Sequence, residues 1–310
     1  MASASTARNE RRSRTARRRE AALRGEAIAL TLPEQLRFAC RLGAIVLLLL
    51  VFVPLHYAFR LFAYGSPFPM LFLRYTARVV GARVEVRGTP LRRDVFFISN
   101  HVSWIDILAL AGSSGTAFVA KQELGEVPVI GWLCRLNRTI FVKRENRLGV
   151  ADQINELREA LADNWSITVF PEGTVTDGQS LLPFKSSMLS VLEPPPPGVF
   201  VQPCVVDYGA VAEEIAWIGD ESGGANARRI MARAGTFRLT IHYLEPFSPA
   251  DHRGRKAIAA KARAEIEGKL VELLGHPLRP FPHTVDPVRY APPPVPGPRD
   301  DQSDASISQS

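Results

Sequence analysis

Short apolar runs alternate with stretches of helical spacing along the middle of the chain, and this pattern predicts a layered α/β domain. Runs rich in β-branched and aromatic residues predict strands at residues 83–86, 95–98, 116–120, 139–142, 166–170, 199–206 and 236–243. Apolar positions three and four residues apart predict helices at residues 105–111, 149–164 and 256–274. Strands separated by helices indicate three layers, with a sheet between helices.

Upstream of this domain lies a long apolar segment, residues 42–59, which carries no formal charge. It is about as long as a helix that crosses a bilayer core. Pro54 interrupts the segment, and residues 68–80 then mix apolar side chains with two arginines, as an interfacial helix does. We therefore predict a membrane-embedded helical hairpin within one leaflet over residues 40–80, with a single transmembrane helix as the alternative.

The two ends of the chain have compositions that are typical of disorder. Residues 1–39 are basic, with six arginines between positions 11 and 19, and residues 276–310 are rich in Pro and then in Ser, Asp and Gln. We predict that both ends are disordered and that the catalytic domain occupies residues 81–275. A basic tract can bind nucleic acid or anionic lipid, and the apolar segment that follows favours lipid. A solvated tail is the alternative.

Cysteine usage and missing motifs exclude several functional classes. Cys40, Cys134 and Cys204 lie far apart, which argues against a zinc site or a disulfide framework and fits a reducing compartment. The sequence contains no P-loop, no dinucleotide-binding glycine motif and no serine elbow. We expect neither a metal ion nor a bound cofactor.

Candidate chemistry appears where the predicted strand 95–98 ends, because Asn100, His101 and Asp106 follow it. Ligands bind at the carboxyl ends of strands in α/β sheets. An imidazole is the usual general base, and a carboxylate can fix its tautomer. Five residues is not a same-face helical spacing, so the pair requires His101 in a turn and Asp106 in the first helical turns. A surface pair or a helix cap is the alternative.

A second charged turn, Phe170-Pro171-Glu172-Gly173-Thr174, follows the next buried run. Together with Asn100-His101-x-Ser103-x-x-Asp106 it resembles the glycerolipid acyltransferase family, which includes 1-acylglycerol-3-phosphate and other lysophospholipid acyltransferases. Residues 137–144 and 201–205 match two further blocks of that family, in the same order. The similarity spans residues 80–245, and it implies an α/β acyltransferase domain with a mixed sheet.

The resemblance implies a membrane-bound O-acyltransferase whose donor substrate is acyl-CoA or acyl carrier protein. It assigns His101 as general base and Asp106 as the residue that orients it. The substrate-binding residues that we predict are Asn100, Arg144, Glu172, Gly173, Thr174 and Lys185. Arg144 is the candidate for the head-group anion, because a guanidinium fork matches phosphate or carboxylate. The alternative for Arg144 is a solvated residue at a strand end.

Two departures from the family pattern bear on the acceptor. Val175 stands where phosphate-acceptor members usually carry arginine, and Lys143 stands where aspartate is common. The continuation Glu-Gly-Thr-x-x-Asp-Gly resembles a bacterial branch that includes lyso-ornithine lipid acyltransferases. We expect 1-acyl-sn-glycerol-3-phosphate as the acceptor, giving phosphatidic acid, with lyso-ornithine lipid as the alternative. Lys185 is the candidate replacement for the missing positive charge.

Two other functional classes are alternatives to acyl transfer. A lipid hydrolase would use the same His101 and Asp106 pair to activate water, and a membrane-tethered scaffold would need no such pair. Activated acyl donors are cytosolic, so we expect the domain to face the cytoplasm from the inner membrane. The expected partners are membrane lipids and the acyl donor, and not nucleic acid.

Overall fold

The computed structural model describes residues 17–26, 28–62, 65–142 and 166–283. In this part of the chain the strands are β1 (Ala82–Arg87), β2 (Val95–Ser99), β3 (Ala117–Lys121), β4 (Ile140–Val142), β5 (Ser166–Val169), β6 (Phe200–Asp207) and β7 (Phe237–Tyr243). The helices are α1 (17–23), α2 (Leu32–Arg60), α3 (Phe68–Val79), α4 (Ile105–Ser114), α5 (Gln122–Glu126), α6 (Pro128–Leu136), α7 (Ala212–Ile215), α8 (Gly223–Ala232) and α9 (Gly254–Leu274). Three 3-10 segments cover Ser186–Leu192, Gly209–Val211 and Pro249–Asp251.

The strands form one mixed sheet in the order β1-β7-β6-β2-β5-β3-β4. Neighbouring strands are parallel except for β6 and β7, which are antiparallel. Every residue of β2 and β5 is buried, as expected for central parallel strands that are covered on both faces. The predicted mixed α/β sheet is confirmed.

Two hydrophobic cores cover the two faces of this sheet. Successive residues of β2 alternate between them, because side chains along a strand point to opposite faces. Phe97 packs into the core that includes α4, and Phe96 packs into the core that includes α9. The three layers are therefore helix, sheet and helix, and β2 lies at the centre of the middle layer.

The N-terminal region differs from the predicted disorder of residues 1–39. Residues 17–23 form α1, and Arg18 pairs with Glu34 through both guanidinium nitrogens, at 2.5 and 2.9 Å. The carbonyl of Leu23 accepts a hydrogen bond of 3.0 Å from the backbone N–H of Asp220 in the catalytic domain. These long-range ties hold a segment whose composition alone predicts no packed structure. Residues 1–16 lie outside the described part.

Helices α2 and α3 form an antiparallel hairpin. Helix α2 begins at Leu32, earlier than predicted, because Glu34 accepts the Thr31 N–H at 2.8 Å and so caps the first turn. The ring of Phe52 stacks on Tyr75, with centroids 5.9 Å apart, and near the tip Phe59 meets Phe68 at 5.9 Å. Among the described helices, α2 is the one long and apolar enough to cross a membrane. Its position in a bilayer stays a prediction.

Other differences from the predicted elements lie toward the C-terminal end. Residues 276–283 were expected to be disordered, but the N–H of Arg279 donates to the carbonyl of Gln179 at 3.0 Å and Phe281 packs against the core. The four helices α5 to α8 were not predicted. The predicted helix at 149–164 lies outside the described residues, as do residues 284–310.

Candidate active site

The candidate site lies at the carboxyl edge of the central strands. Strand β2 lies between β5 and β6 and is parallel to both, so the segments that follow these three strands meet at one edge of the sheet. His101 follows β2, Glu172 follows β5 and Tyr208 follows β6. This is the edge at which α/β sheets bind their ligands.

His101 and Asp106 form the predicted pair. The Nδ1 atom of His101 lies 2.8 Å from Oδ2 of Asp106, and the side chain of Asp106 is fully buried. A carboxylate can only accept, so Nδ1 carries the hydrogen and Nε2 is the basic nitrogen. Among the described residues no hydrogen bond engages Nε2, and the imidazole is 16% exposed. The site therefore presents a correctly oriented base to a substrate at the protein surface.

Four donors surround the carboxylate of Asp106. Its Oδ2 atom also accepts the backbone N–H groups of Val102 at 2.7 Å and Ser103 at 2.9 Å. Its Oδ1 atom accepts the hydroxyl of Tyr208 at 2.5 Å. Because Asp106 lies in the first turn of α4, it can reach back to these N–H groups and to the imidazole at once. The buried charge is thus fully compensated, and its two oxygens have distinct partners.

The imidazole of His101 stacks on the ring of Phe170. The ring centroids are 4.0 Å apart and the planes differ by 14°. Phe170 stacks in turn on Phe118, at 5.9 Å. This packing fixes the second rotational degree of freedom of the imidazole, which the hydrogen bond to Asp106 alone leaves open.

The side chain of Glu172, which follows β5, is hydrogen-bonded to the turn that carries His101. Its Oε1 atom accepts the backbone N–H of His101 at 3.0 Å, and its Oε2 atom accepts that of Leu182 at 2.8 Å. The residue is only 1% exposed. Burial raises the pKa of Glu172 to about 8, while the two N–H donors act in the opposite direction. Each oxygen accepts one backbone N–H, so Glu172 positions His101, and its predicted contact with the acceptor stays a prediction.

The backbone carbonyl groups of the turn that carries His101 are also hydrogen-bonded. The carbonyl of His101 accepts the backbone N–H of Thr176 at 2.7 Å and its hydroxyl at 3.2 Å. The carbonyl of Val102 accepts the N–H of Trp217 at 3.0 Å. Asn100 is buried and exchanges two hydrogen bonds with the backbone of Val206, at 2.8 and 3.1 Å. Asn100 therefore ties β2 to β6, and the structure gives it a structural role at the base of the site.

The predicted substrate-binding residues of the second turn lie together beside His101. Gly173 has φ +74°, and a Cβ built on it would lie 2.6 Å from Nζ of Lys185. The glycine is thus required both by its backbone conformation and by the close approach of the lysine. Thr174 is half-buried at the same turn. Arg144 lies outside the described residues, so its predicted role stays a prediction.

Tyr208 and Thr176 were missed by the sequence reasoning. A usable signal existed for Tyr208, since it comes shortly after the predicted strand 199–206. Within the described residues, no cluster of three or more His, Cys, Asp or Glu side chains could hold a metal ion. The chemistry that this arrangement supports is proton abstraction by an oriented, partly exposed imidazole.

Comparisons with known proteins agree with this fold. The family model described as Acyltransferase matches residues 83–207. A lyso-ornithine lipid O-acyltransferase from Rhodobacter capsulatus is 31% identical over 253 residues, which is 76% of this chain and 91% of that protein. A 1-acyl-sn-glycerol-3-phosphate acyltransferase from Neisseria gonorrhoeae is 30% identical over 142 residues, 46% of this chain and 51% of that protein.

A solved structure supports the fold independently. The crystal structure of PlsC, the 1-acyl-sn-glycerophosphate acyltransferase from Thermotoga maritima, superposes with a TM-score of 0.58 and 22% identity, covering 77% of this chain and 95% of that one. The fold and the oriented His-Asp pair therefore define an acyltransferase. The chain belongs to the lysophospholipid acyltransferase family, whose relatives here include enzymes of lyso-ornithine lipid and of 1-acylglycerol-3-phosphate.

Proposed function

We propose that this enzyme transfers an acyl chain from an acyl thioester to the hydroxyl of lyso-ornithine lipid at the membrane surface. The observation that carries the reaction is the His101 and Asp106 pair, with Nε2 directed away from its hydrogen-bonded partner. The acceptor hydroxyl gives its proton to Nε2 as its oxygen attacks the thioester carbonyl. The C–O bond forms, the C–S bond breaks, and the imidazolium returns the proton to the departing thiolate.

The full-length similarity supports lyso-ornithine lipid as the acceptor. Proteins named lyso-ornithine lipid O-acyltransferase from Rhodobacter capsulatus and Brucella abortus match over 91% and 93% of their lengths, at 31% and 29% identity. The sequence pattern had favoured 1-acyl-sn-glycerol-3-phosphate, and that acceptor is the second candidate. The Neisseria relative favours it, although the match covers about half of that protein.

The chemistry of the second turn points in the same direction. Val175 packs against the core at a position where phosphate-acceptor members usually carry arginine. Among the described residues, Lys185 is the cation that lies next to Gly173. The ornithine head group carries one carboxylate and one ammonium, whereas a phosphate monoester approaches two negative charges near neutrality. One ammonium at the turn suits the carboxylate better than the phosphate.

The acceptor is tested by acyl transfer with the purified full-length protein in detergent micelles. Lyso-ornithine lipid and lysophosphatidic acid are compared, each with acyl-CoA and with acyl carrier protein as donor. We expect kcat/KM to be higher for lyso-ornithine lipid. Lys185→Ala should raise KM for this acceptor more than the control variant Lys261→Ala does. Lys261 is a surface residue that forms a salt bridge with Glu265. A tenfold preference for lysophosphatidic acid would overturn the proposed acceptor.

We propose further that the α2–α3 hairpin lies within one leaflet of the cytoplasmic membrane. Both of its arms are fastened to the catalytic domain. Arg41 of α2 donates to backbone carbonyls at and just after the C-terminal end of α8 at 3.0–3.1 Å, and Arg74 of α3 donates to the carbonyl of Gly112 at 2.7 Å. Since α1 also contacts the domain, the chain before α2 and the chain after α3 lie on the same side. A single crossing would place them on opposite sides.

The hairpin has the apolar surface that contact with lipid requires. Leu61 and Phe62 at the tip are 80% and 89% exposed. Other exposed apolar side chains along α2 are Leu42, Val46, Leu47, Leu50, Val51 and Leu55. This surface would be unfavourable in water and suits lipid.

Flotation with vesicles tests the membrane contact. Replacing Leu61 and Phe62 by serine is expected to weaken vesicle binding, whereas Val86→Ser, an exposed apolar residue of β1, is the matched control. For topology, single cysteines at positions 24 and 269 are labelled with an impermeant maleimide in a chain whose own cysteines are replaced. Labelling of both from the same face supports the hairpin, and labelling from opposite faces contradicts it.

A further inference from the structure

The hydroxyl of Tyr208 donates a hydrogen bond to the carboxylate of the catalytic pair, and acyl transfer by itself does not require it. It lies 2.5 Å from Oδ1 of Asp106, and it is the one described side chain that donates to this oxygen. Tyr208 is 3% exposed and Asp106 is fully buried, so bulk water does not compete for the bond. The tyrosine follows β6, which pairs directly with β2, so the sheet itself sets this distance.

We propose that Tyr208 is a positioning residue that sets the base strength of His101 through Asp106. The imidazole interacts with Oδ2 and the phenol with Oδ1 of the same carboxylate. A donor on Oδ1 draws negative charge toward that oxygen and weakens the pull of Oδ2 on the Nδ1 proton. The imidazolium is then less stabilised, and Nε2 is unprotonated over a wider pH range.

The phenol is suited to this role because it remains a donor. Burial, and then the charge of Asp106, raise the pKa of Tyr208 well above its usual value, so the hydroxyl stays protonated at any working pH. The ring packs against Phe237, with centroids 6.1 Å apart, which fixes the position of the phenol oxygen. Charge-assisted hydrogen bonds of this length are the strong ones in proteins.

Other titratable groups face the same turn and affect the pH dependence. Glu172 accepts the backbone N–H of His101, and after burial the charge of Asp106 also raises the pKa of Glu172. Beyond Glu172 lie the guanidinium of Arg263 and the ammonium of Lys185. All of them are present in wild type and in a Tyr208 variant, so the difference between the two profiles isolates the tyrosine.

The test is the pH dependence of kcat/KM for Tyr208→Phe in the full-length protein. The inference rests on acyl transfer through His101 but not on the choice of acceptor, so whichever lyso-lipid wild type acylates faster is used. We expect the acidic limb of the pH profile, where kcat/KM falls as pH is lowered, to move to higher pH by about 0.5 to 1 pH unit, since one hydrogen bond to a charged group is lost. The kcat/KM of Tyr208→Phe should then be about 3- to 10-fold below wild type at pH 6.5. At pH 9 it should lie within about 2-fold of wild type.

Tyr243→Phe is the matched control. Tyr243 is equally buried, and its hydroxyl lies 2.8 Å from Oγ of Ser113, away from the pair. It is expected to leave the acidic limb unchanged. NMR titration of the His101 ring, assigned with His101→Ala, gives the same shift without any substrate and therefore separates this inference from the acceptor proposal.

A pH-independent loss of rate in Tyr208→Phe, or an acidic limb that stays in place, overturns the inference. If the phenylalanine variant does not fold, 3-fluorotyrosine at position 208 keeps the shape and makes the hydroxyl a stronger donor. The acidic limb should then move down. A limb that does not move, or that moves up, overturns the inference as well.

Discussion

Replacing Asp106 by asparagine separates the charge of this residue from its geometry. The Oδ2 position accepts from three donors, the imidazole Nδ1 and the N–H groups of Val102 and Ser103. The Oδ1 position accepts only from Tyr208, whose hydroxyl can rotate and become an acceptor. The amide oxygen of Asp106→Asn is therefore selected for the Oδ2 position, and its NH₂ faces the phenol. His101 keeps its tautomer and its orientation.

What the variant loses is the negative charge opposite the imidazolium. A hydrogen bond to a charged group contributes about 1.5–3 kcal/mol, against about 0.5–1.5 kcal/mol for a neutral one. The difference of about 1–2 kcal/mol corresponds to a kcat that is about 5- to 30-fold lower, at about 1.4 kcal/mol per factor of ten. The acidic limb should move to lower pH, opposite to the shift expected for Tyr208→Phe. Thermal stability should change little.

The assay is acyl transfer in mixed micelles between pH 6 and 9, with thermal unfolding of the same samples. Asp207→Asn is the control, because Asp207 also accepts a backbone N–H, at 2.7 Å from Gly209, and lies outside the pair. It should retain a rate within about 2-fold of wild type. An unchanged rate in Asp106→Asn refutes the electrostatic role. A loss as complete as that of His101→Ala refutes the predicted retention of the tautomer.

Three further predictions follow from the second turn. Because burial raises the folded-state pKa of Glu172 to about 8, the neutral form of this residue favours folding, and the free energy of unfolding should decrease as pH rises from about 4.5 through 8. A pH series of thermal unfolding should show this decrease in wild type and not in Glu172→Gln. Gly173→Ala should cost about 1–2 kcal/mol of unfolding free energy for its positive φ and displace Lys185, which a raised acceptor KM would report. Val175→Arg should increase kcat/KM for lysophosphatidic acid relative to lyso-ornithine lipid, and an unchanged ratio would exclude this position as a determinant of the acceptor.

The central strands could be predicted because their sequences are continuous apolar runs bounded by turns. The predicted run 95–98 lies within β2, and the run 166–170 covers β5, since strands buried on both faces leave little ambiguity. Helix α8 was missed because its sequence begins with two glycines and contains a buried Asn226, which lowers helix propensity. Asn226 is nevertheless satisfied by Glu221 at 2.8 Å, a contact that no local pattern reveals.

Local sequence was enough to predict part of the site. His101 and Asp106 could be paired because a turn and the first turn of a helix bring them together. The position of Glu172 followed from its motif, but its two backbone partners depend on how β5 lies beside β2. Tyr208 required the neighbouring position of β6, which is set by contacts distant in sequence. Long-range strand order was thus the missing information.

The most direct test of general-base catalysis by His101 is acyl transfer by the purified protein with His101→Ala beside wild type. His242→Ala is the control, because His242 is a half-buried histidine of β7 outside the site. We expect kcat to fall about 10²- to 10⁴-fold in His101→Ala, the usual contribution of a general base, and to stay near wild type in His242→Ala. Transfer at the wild-type rate without the His101 imidazole would contradict the mechanism.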